Sequence, residues 1–251
     1  MSEIEPAQRQ FGRTAAAYVE SATHARGEDL DRVAAIAAQH GGERLVDVGT
    51  GVAHTLRRLA PHFRGALGVD ATREMLEAGR GVLAAAGVAQ ALLVQADAAA
   101  LPIVSRSADV VTSRLAAHHF ADVAGAFREI ARVLRPGGIF IFVDNVAPDS
   151  PALDSFLNEL ERLRDPSHVR SHTAREWQEL LESAGMHTTV DSALEVTKLD
   201  VEGWLARSQT APDRAAEVRR RLRAAAPEAV SAFRIADNTF TVHKVILVGR
   251  A

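Results

Sequence analysis

Through the first 145 residues, short apolar runs alternate with stretches whose apolar residues recur at helical spacing. Arg44–Val48, residues 66–69, Ala91–Gln95, residues 108–112 and residues 138–143 are aliphatic or β-branched runs of strand length. Residues 8–20 and 27–40 predict two helices ahead of them, the second with Leu30, Val33, Ile36 and Ala37 along one face. A helix after the first strand should stop near Pro61. Thr72 is a candidate N-cap for the next, with Glu74 and Glu77 in its early turns and Gly87 just past its end. A helix over 122–134 is closed by Pro136-Gly137-Gly138. Strands alternating with helices mean right-handed crossovers and a doubly wound, mainly parallel α/β sheet.

After residue 145 the rhythm changes. Pro148, Pro151 and Pro166 bracket an amphipathic stretch, residues 153–163, and a helix is expected over 173–184, ending at Gly185. A strand near 187–196, a helix near 200–208, an Arg-rich helix near 213–225 and a last strand over 240–248 follow. The whole of 1–251 reads as one domain: an N-terminal helical cover (1–42), a cofactor-binding core (43–145), a helical lid or substrate region (146–210), and a C-terminal helix and strand (211–251). A helical insertion ahead of the last strands would lie over the carboxyl edge of the sheet, where open α/β sheets bind ligands. An ordinary helical subdomain is the competing expectation.

The junction after the first strand narrows the chemistry. The run Arg44-Leu-Val-Asp-Val-Gly-Thr-Gly-Val-Ala53 ends a strand in an acid and follows it with glycines at alternate positions. Glycine is needed where backbone must come close to a ligand. A second strand ends in Asp70, 23 residues after Asp47, the distance at which an acid holds ribose hydroxyls. A dinucleotide turn would want a small residue at 54, and this chain has His54 there. An acid beside the turn repels a pyrophosphate and suits a cationic ligand, so S-adenosylmethionine, with its sulfonium and ammonium, fits better than NAD. A tight strand-helix turn without a ligand is the bland alternative.

Composition sets bounds. The 251 residues are 47% hydrophobic, enough for a full core, and carry no cysteine, which removes disulfides, thiolate metal sites and a cysteine nucleophile. A net charge of −3 offers no bulk attraction to nucleic acid. No basic leader or membrane-length apolar run is seen, so a cytoplasmic location with no membrane span is expected. No His/Asp/Glu cluster has metal-ligand spacing, and no metal is expected. The Arg214–Arg223 run reads as a solvated helix face. A homodimer stays open.

Further motifs fall in a familiar order: Asp47-Val-Gly49-Thr-Gly51, Gly68-Val-Asp70, Asp97 followed by Leu101-Pro102, Ala117-His118-His119-Phe120, and Val133-Leu-Arg-Pro-Gly-Gly138. Over about 10–145 the chain resembles the class I S-adenosylmethionine-dependent methyltransferases, in particular the type 11 group that includes ubiquinone and menaquinone C-methyltransferases. The segment 160–170 is similar to a subgroup of bacterial methyltransferases of this type. The resemblance implies a seven-stranded Rossmann-like sheet whose last strand runs antiparallel, and S-adenosylmethionine as cofactor. It implies that Asp47, Gly49 and Gly51 line the methionine end, Asp70 takes the ribose hydroxyls, and Ala71 and Met75 lie near the adenine. Asp97 and Ala98 would read the adenine amino group, Arg114 and Leu115 would close over the methionine portion, and Tyr18 would belong to the cofactor cover. Ala53 stands where the family often has a third glycine, and alanine is small enough to fit.

The expected function is methyl transfer from S-adenosylmethionine to a small-molecule acceptor, by in-line displacement. His118 and His119, after strand four at the ligand edge, are the candidate general bases, because imidazole titrates near neutral pH. Adjacent side chains diverge, so one of them should face the transferred methyl, and His119 is preferred because it precedes the next helix entry. Packing or capping is the competing role for both. His24 and His168 are candidate substrate contacts, with a surface position the plainer expectation; Trp177 and Trp204 are expected in packing. A nicotinamide oxidoreductase, a nucleic-acid methyltransferase and a non-catalytic cofactor-binding module remain alternatives, the second disfavoured by the low aromatic content of 5%. The acceptor is not legible in the sequence.

Overall fold

The computed structural model describes residues 4–251; the first three residues of the expected 1–42 cover lie outside them. Strands β1 (Arg44–Val48), β2 (Gly65–Asp70), β3 (Ala91–Gln95), β4 (Ala108–Arg114), β5 (Leu134–Val146), β6 (His187–Asp200) and β7 (Thr239–Arg250) form one sheet in the order β3-β2-β1-β4-β5-β7-β6. β1 to β5 pair in parallel, and β7 runs antiparallel between β5 and β6. The strand order reverses between β1 and β4, which opens a crevice at the carboxyl ends of those two strands.

The central strands carry no alternating pattern because both their faces are covered. All seven residues of β4 are buried. One face packs on α6 (Val123–Val133) and α8 (Ala174–Ser183), where Phe127, Phe142 and Trp177 meet edge to face or tilted at 5.0–6.1 Å between ring centres. The other packs on α3 (Glu28–His40) and α4 (His54–Leu59) through Leu30, Val33, Leu56 and Leu59. The cap of α6 is Asp122, which accepts from the Gly125 N–H; α8 starts in a capping box between Thr173 and Glu176. α5 (Arg73–Ala85) starts after Thr72 as expected, yet the Thr72 hydroxyl does not cap it; its N–H instead donates to Asp70.

Two boundaries depart from the sequence expectation. Pro136-Gly137-Gly138 does not end α6. The helix stops at Val133, and β5 runs through all three residues, with a register shift against β4 between Ala108 and Val110. The expected 146–210 lid also divides. α8 is not over the carboxyl edge, because the apolar face carrying Trp177 and Leu181 is drawn into the core on the flank of the sheet. Only α7 (Pro151–Arg164) and α9 (Val201–Arg207) stay above that edge. They share a separate apolar cluster with α10 (Pro212–Arg223) and α11 (Pro227–Ala232), built on Leu157, Leu160, Trp204 and Val218. The arginines of α10 face outward around buried Ala215, Val218 and Leu222.

The N-terminal cover consists of α1 (Glu5–Val19), α2 (Ala22–Ala25) and the start of α3. A buried ion cluster ties it to the sheet. Asp29, at the start of α3, accepts from Arg114 Nε at 2.7 Å and lies 3.3 Å from Lys244 Nζ. Arg114 also donates to the carbonyls of His24 and Thr23, both at 3.0 Å. Burial alone would raise the Asp29 carboxyl, but the two cations outweigh it and hold its pKa below the usual carboxylate value. That contribution to stability is therefore present at neutral pH and lost as pH falls through the lowered pKa. Asp29→Ala leaves two buried cations without their shared carboxylate and should cost about 3–5 kcal/mol. Urea unfolding monitored by circular dichroism reads it, with exposed Glu28→Ala as a control expected to change little; equal stabilities would remove the cluster from the account.

Candidate active site

The crevice between β1 and β4 is open to solvent and spans about 980 Å³, counting the space at its mouth. Its floor is the turn after β1. Gly49 and Gly51 have φ of +71° and +53°, backbone that favours glycine. A Cβ on Gly49 would stand 2.5 Å from that of Ala116, whereas one on Gly51 would project into open space. The turn continues through Ala53, whose φ is +65°. The alanine in place of a third glycine is thus paid for in backbone conformation, at roughly 1–2 kcal/mol, and not in room.

The acid that closes β2 fastens this turn. Asp70 Oδ2 accepts from the Gly51 N–H and Oδ1 from the Thr72 N–H, each at 2.8 Å. Burial raises its pKa while those N–H bonds oppose the rise. Each oxygen keeps a lone pair that can accept from a ligand hydroxyl. Ala71, Met75, Asp97 and Ala98 line the crevice together with Gly49, Leu115 and Tyr18.

Two sequence-predicted residues are placed differently. Asp47 does not line the crevice. It is buried beneath the turn, with Thr50 Oγ1 and Thr112 Oγ1 each donating to it at 2.7 Å. Burial pushes its carboxyl up to about 6, against those hydroxyls. Asp47 shapes the loop from below. Arg114 reaches the crevice wall, but its guanidinium is consumed by Asp29 and the α2 carbonyls. It fixes the cover instead of closing over a ligand. A contact missed in the sequence works alongside it: His54, which excluded a dinucleotide turn, bonds through Nε2 to the Tyr18 carbonyl at 3.0 Å and so ties the turn to the cover.

A second cavity, about 520 Å³ counting the open space at its mouth, adjoins the first, and the two share Phe11, Tyr18, His24, Leu115 and His119. His119 therefore stands on the common wall, while His118 lines only the second cavity. His118 Nδ1 is 2.5 Å from Asp144 Oδ1, and its backbone N–H donates to Asp144 Oδ2 at 3.2 Å. Burial would lower the His118 pKa, but Asp144 overrides it and the result lies above the ordinary imidazole value. His119 is the opposite case. Burial and the adjacent His118 push it down to about 4, and its Nδ1 lies 3.2 Å from the Ser167 carbonyl. Asp144 ends an apolar strand just as Asp47 and Asp70 do, so the sign that would have found it was in the sequence.

His24 and His168, expected at the surface, are not there. His24 lines both cavities, bonds to Ser21 Oγ at 2.7 Å and has its pKa driven well down by burial and nearby arginines. His168 is 4% exposed and bonds through Nε2 to Asn158, because residues 165–170 fold back onto the His118 carbonyl. Trp177 is a core residue, as expected. Trp204 packs in the α7–α9 cluster but also lines the second cavity. Among the described residues no group of histidines and acids has the geometry to hold a metal ion, and no helix is long and apolar enough to cross a membrane.

Residues 46–142 match the family model described as a methyltransferase domain. An uncharacterized methyltransferase of Bacillus subtilis, YcgJ, is 38% identical over 228 residues, 91% of this chain and 90% of its own. The crystal structure of that protein superposes with a TM-score of 0.84 at 35% identity, covering 88% of this chain and 97% of the other. A putative methyltransferase of Bacillus halodurans gives 0.83 at 31% identity, over 89% and 99%. A demethylmenaquinone methyltransferase of Roseiflexus castenholzii is 34% identical over 158 residues, 60% of this chain and 65% of its own. With the reversal of strand order, the glycine turn and Asp70 in place, the chain belongs to the type 11 group of class I methyltransferases that use S-adenosylmethionine.

Proposed function

We propose that this chain methylates a small-molecule acceptor by in-line displacement, with the acceptor in the second cavity and His118 as general base. The observation that carries the reading is the buried His118–Asp144 pair on a cavity that shares a wall with the cofactor crevice. Bound in the crevice, S-adenosylmethionine supplies a methyl group made electrophilic by its sulfonium. The chain's own part is placement, exclusion of water and handling of one proton. Asp144 accepts the Nδ1 proton of His118, which leaves the Nε2 lone pair to take a proton from an acceptor hydroxyl or amine. His119, kept neutral, puts no positive charge beside the sulfonium. Alignment of donor and acceptor in a dry site can contribute roughly 7–11 kcal/mol toward the barrier. The similarity to a demethylmenaquinone methyltransferase is in keeping with a small-molecule acceptor. Screening metabolite extracts with a trideuteromethyl cofactor tests the reading. It expects a small metabolite that gains one labelled methyl; label found only on protein or nucleic acid would sink it.

Two residues give sharper tests. Asp70→Ala should weaken S-adenosylhomocysteine binding by about 1.5–3 kcal/mol, the range for hydrogen bonds to a charged group, without unfolding the chain. Calorimetry reads the change, and an unaltered dissociation constant would take Asp70 out of the ribose site.

The histidine pair can be read before the acceptor is known. In an imidazole NMR titration His118 should lose its proton above the usual value near 6.5, and His119 only near 4. A base must be neutral to accept a proton, so the methyl-transfer rate should rise with pH through the His118 transition and show none at neutral pH from His119. His118→Ala should lower the rate roughly 10²–10⁴-fold with cofactor binding retained. If His119→Ala were instead the damaging change, the base assignment would move back to that residue.

A further inference from the structure

The second cavity is lined by more cations than acids. Three basic side chains line it: Arg164, Arg207 and Lys244. Arg164 donates to Glu161 and to Ser208 Oγ, both at 2.7 Å. Lys244 shares the Asp29 carboxylate with Arg114, one anion set against two cations. Arg207 forms no ion pair among the described residues, and its Nε is buried without an acceptor. Burial and the neighbouring Arg164 act against its charge, and the Tyr18 and Glu161 side chains favour it. A guanidinium nevertheless stays protonated under any ordinary condition. A guanidinium nitrogen shut off from water without an acceptor is costly, and an arriving anion that pairs with the group lowers that cost.

Apolar and aromatic side chains share that wall: Trp204 and Leu199 line the cavity, Phe11 and Tyr18 line both it and the cofactor crevice, and His118 lines the same cavity. Arg164 is stacked over Trp204 at 5.0 Å from the ring centre, which turns one cation toward the tryptophan, while the Arg207 Nε is left without an acceptor.

We infer that the acceptor is an organic anion, a carboxylate or phosphate on an apolar body, and that Arg207 is the residue that selects it. The anionic end pairs with the guanidinium while the apolar body lies along Trp204 and places the group to be methylated at His118. This deepens the methyltransferase reading and rests on it for the transfer step, but not for the binding preference. Glu161 is the one acid on the cavity wall, and it already has Arg164 as its partner, so an amine finds no unengaged carboxylate there.

Matched probes on the full chain test this. Benzoate, phenyl phosphate, benzamide and benzylamine are titrated by ligand-observed NMR, with and without S-adenosylhomocysteine. Either anion should bind about tenfold or more tighter than benzamide, the difference expected of a charge-assisted hydrogen bond, with benzylamine weakest. Preference for benzoate or for phenyl phosphate distinguishes a carboxylate acceptor from a phosphate one. Arg207→Gln should abolish the preference and leave the S-adenosylhomocysteine affinity unchanged, while Arg207→Lys should keep part of it in an equally stable chain. Equal binding of benzamide, preference for benzylamine, or a preference that survives Arg207→Gln would each overturn the inference. Failure of S-adenosylhomocysteine to bind would count against the methyltransferase reading alone, since the charge preference is also measured without it.

Discussion

Asp29 receives Arg114 from the end of β4 and Lys244 from β7, and Arg114 goes on to grip the carbonyls of α2. Both cavities depend on this arrangement. The cover residues Phe11, Tyr18 and His24 belong to both cavity walls, and they stay there only while α1 and α2 are held against the carboxyl edge. A buried carboxylate between two cations is a poor source of net stability when compared with apolar packing. Its use here is positional. The charges are satisfied in one geometry, so the cover is fixed in register with the glycine turn after β1, and His54 repeats the link through the Tyr18 carbonyl.

The site divides labour between two kinds of polar contact. Beneath the cofactor turn, Asp47 and Asp70 are spent on hydroxyls and N–H groups that hold the glycine backbone in its left-handed path. Across the shared wall, the two adjacent histidines have opposite electrostatics because only His118 has a carboxylate partner. One imidazole has its pKa raised by that partner and the other has its pKa lowered by burial. Beyond them the buried Arg207 Nε has no acceptor.

The parallel half of the fold was legible because each of its strands is a short apolar run between turn residues, and because buried strands need no alternation. The cofactor turn was legible for a similar reason: glycine at positive φ has no cheap substitute. The bounds of β5 were not, since Pro136-Gly137-Gly138 is turn chemistry locally and is overridden by pairing on both sides. Helix α8 shares its composition with α7, and only tertiary packing of Trp177 sends it to the flank of the sheet. The choice between His118 and His119 turned on Asp144, 26 residues away in sequence, and periodicity says nothing about which neighbour a strand-end acid will meet. Ala53 was judged on volume, whereas its backbone angle is what carries the cost.

The most direct test of the account is calorimetric titration of the intact chain with S-adenosylhomocysteine and with NAD. A turn fastened by Asp70, without a small residue at 54 to admit a pyrophosphate, predicts one molecule of S-adenosylhomocysteine per chain. It also predicts NAD binding about a hundredfold or more weaker, some 2.7 kcal/mol. Binding of NAD as tight as that of S-adenosylhomocysteine, or no binding of the latter at all, would contradict it.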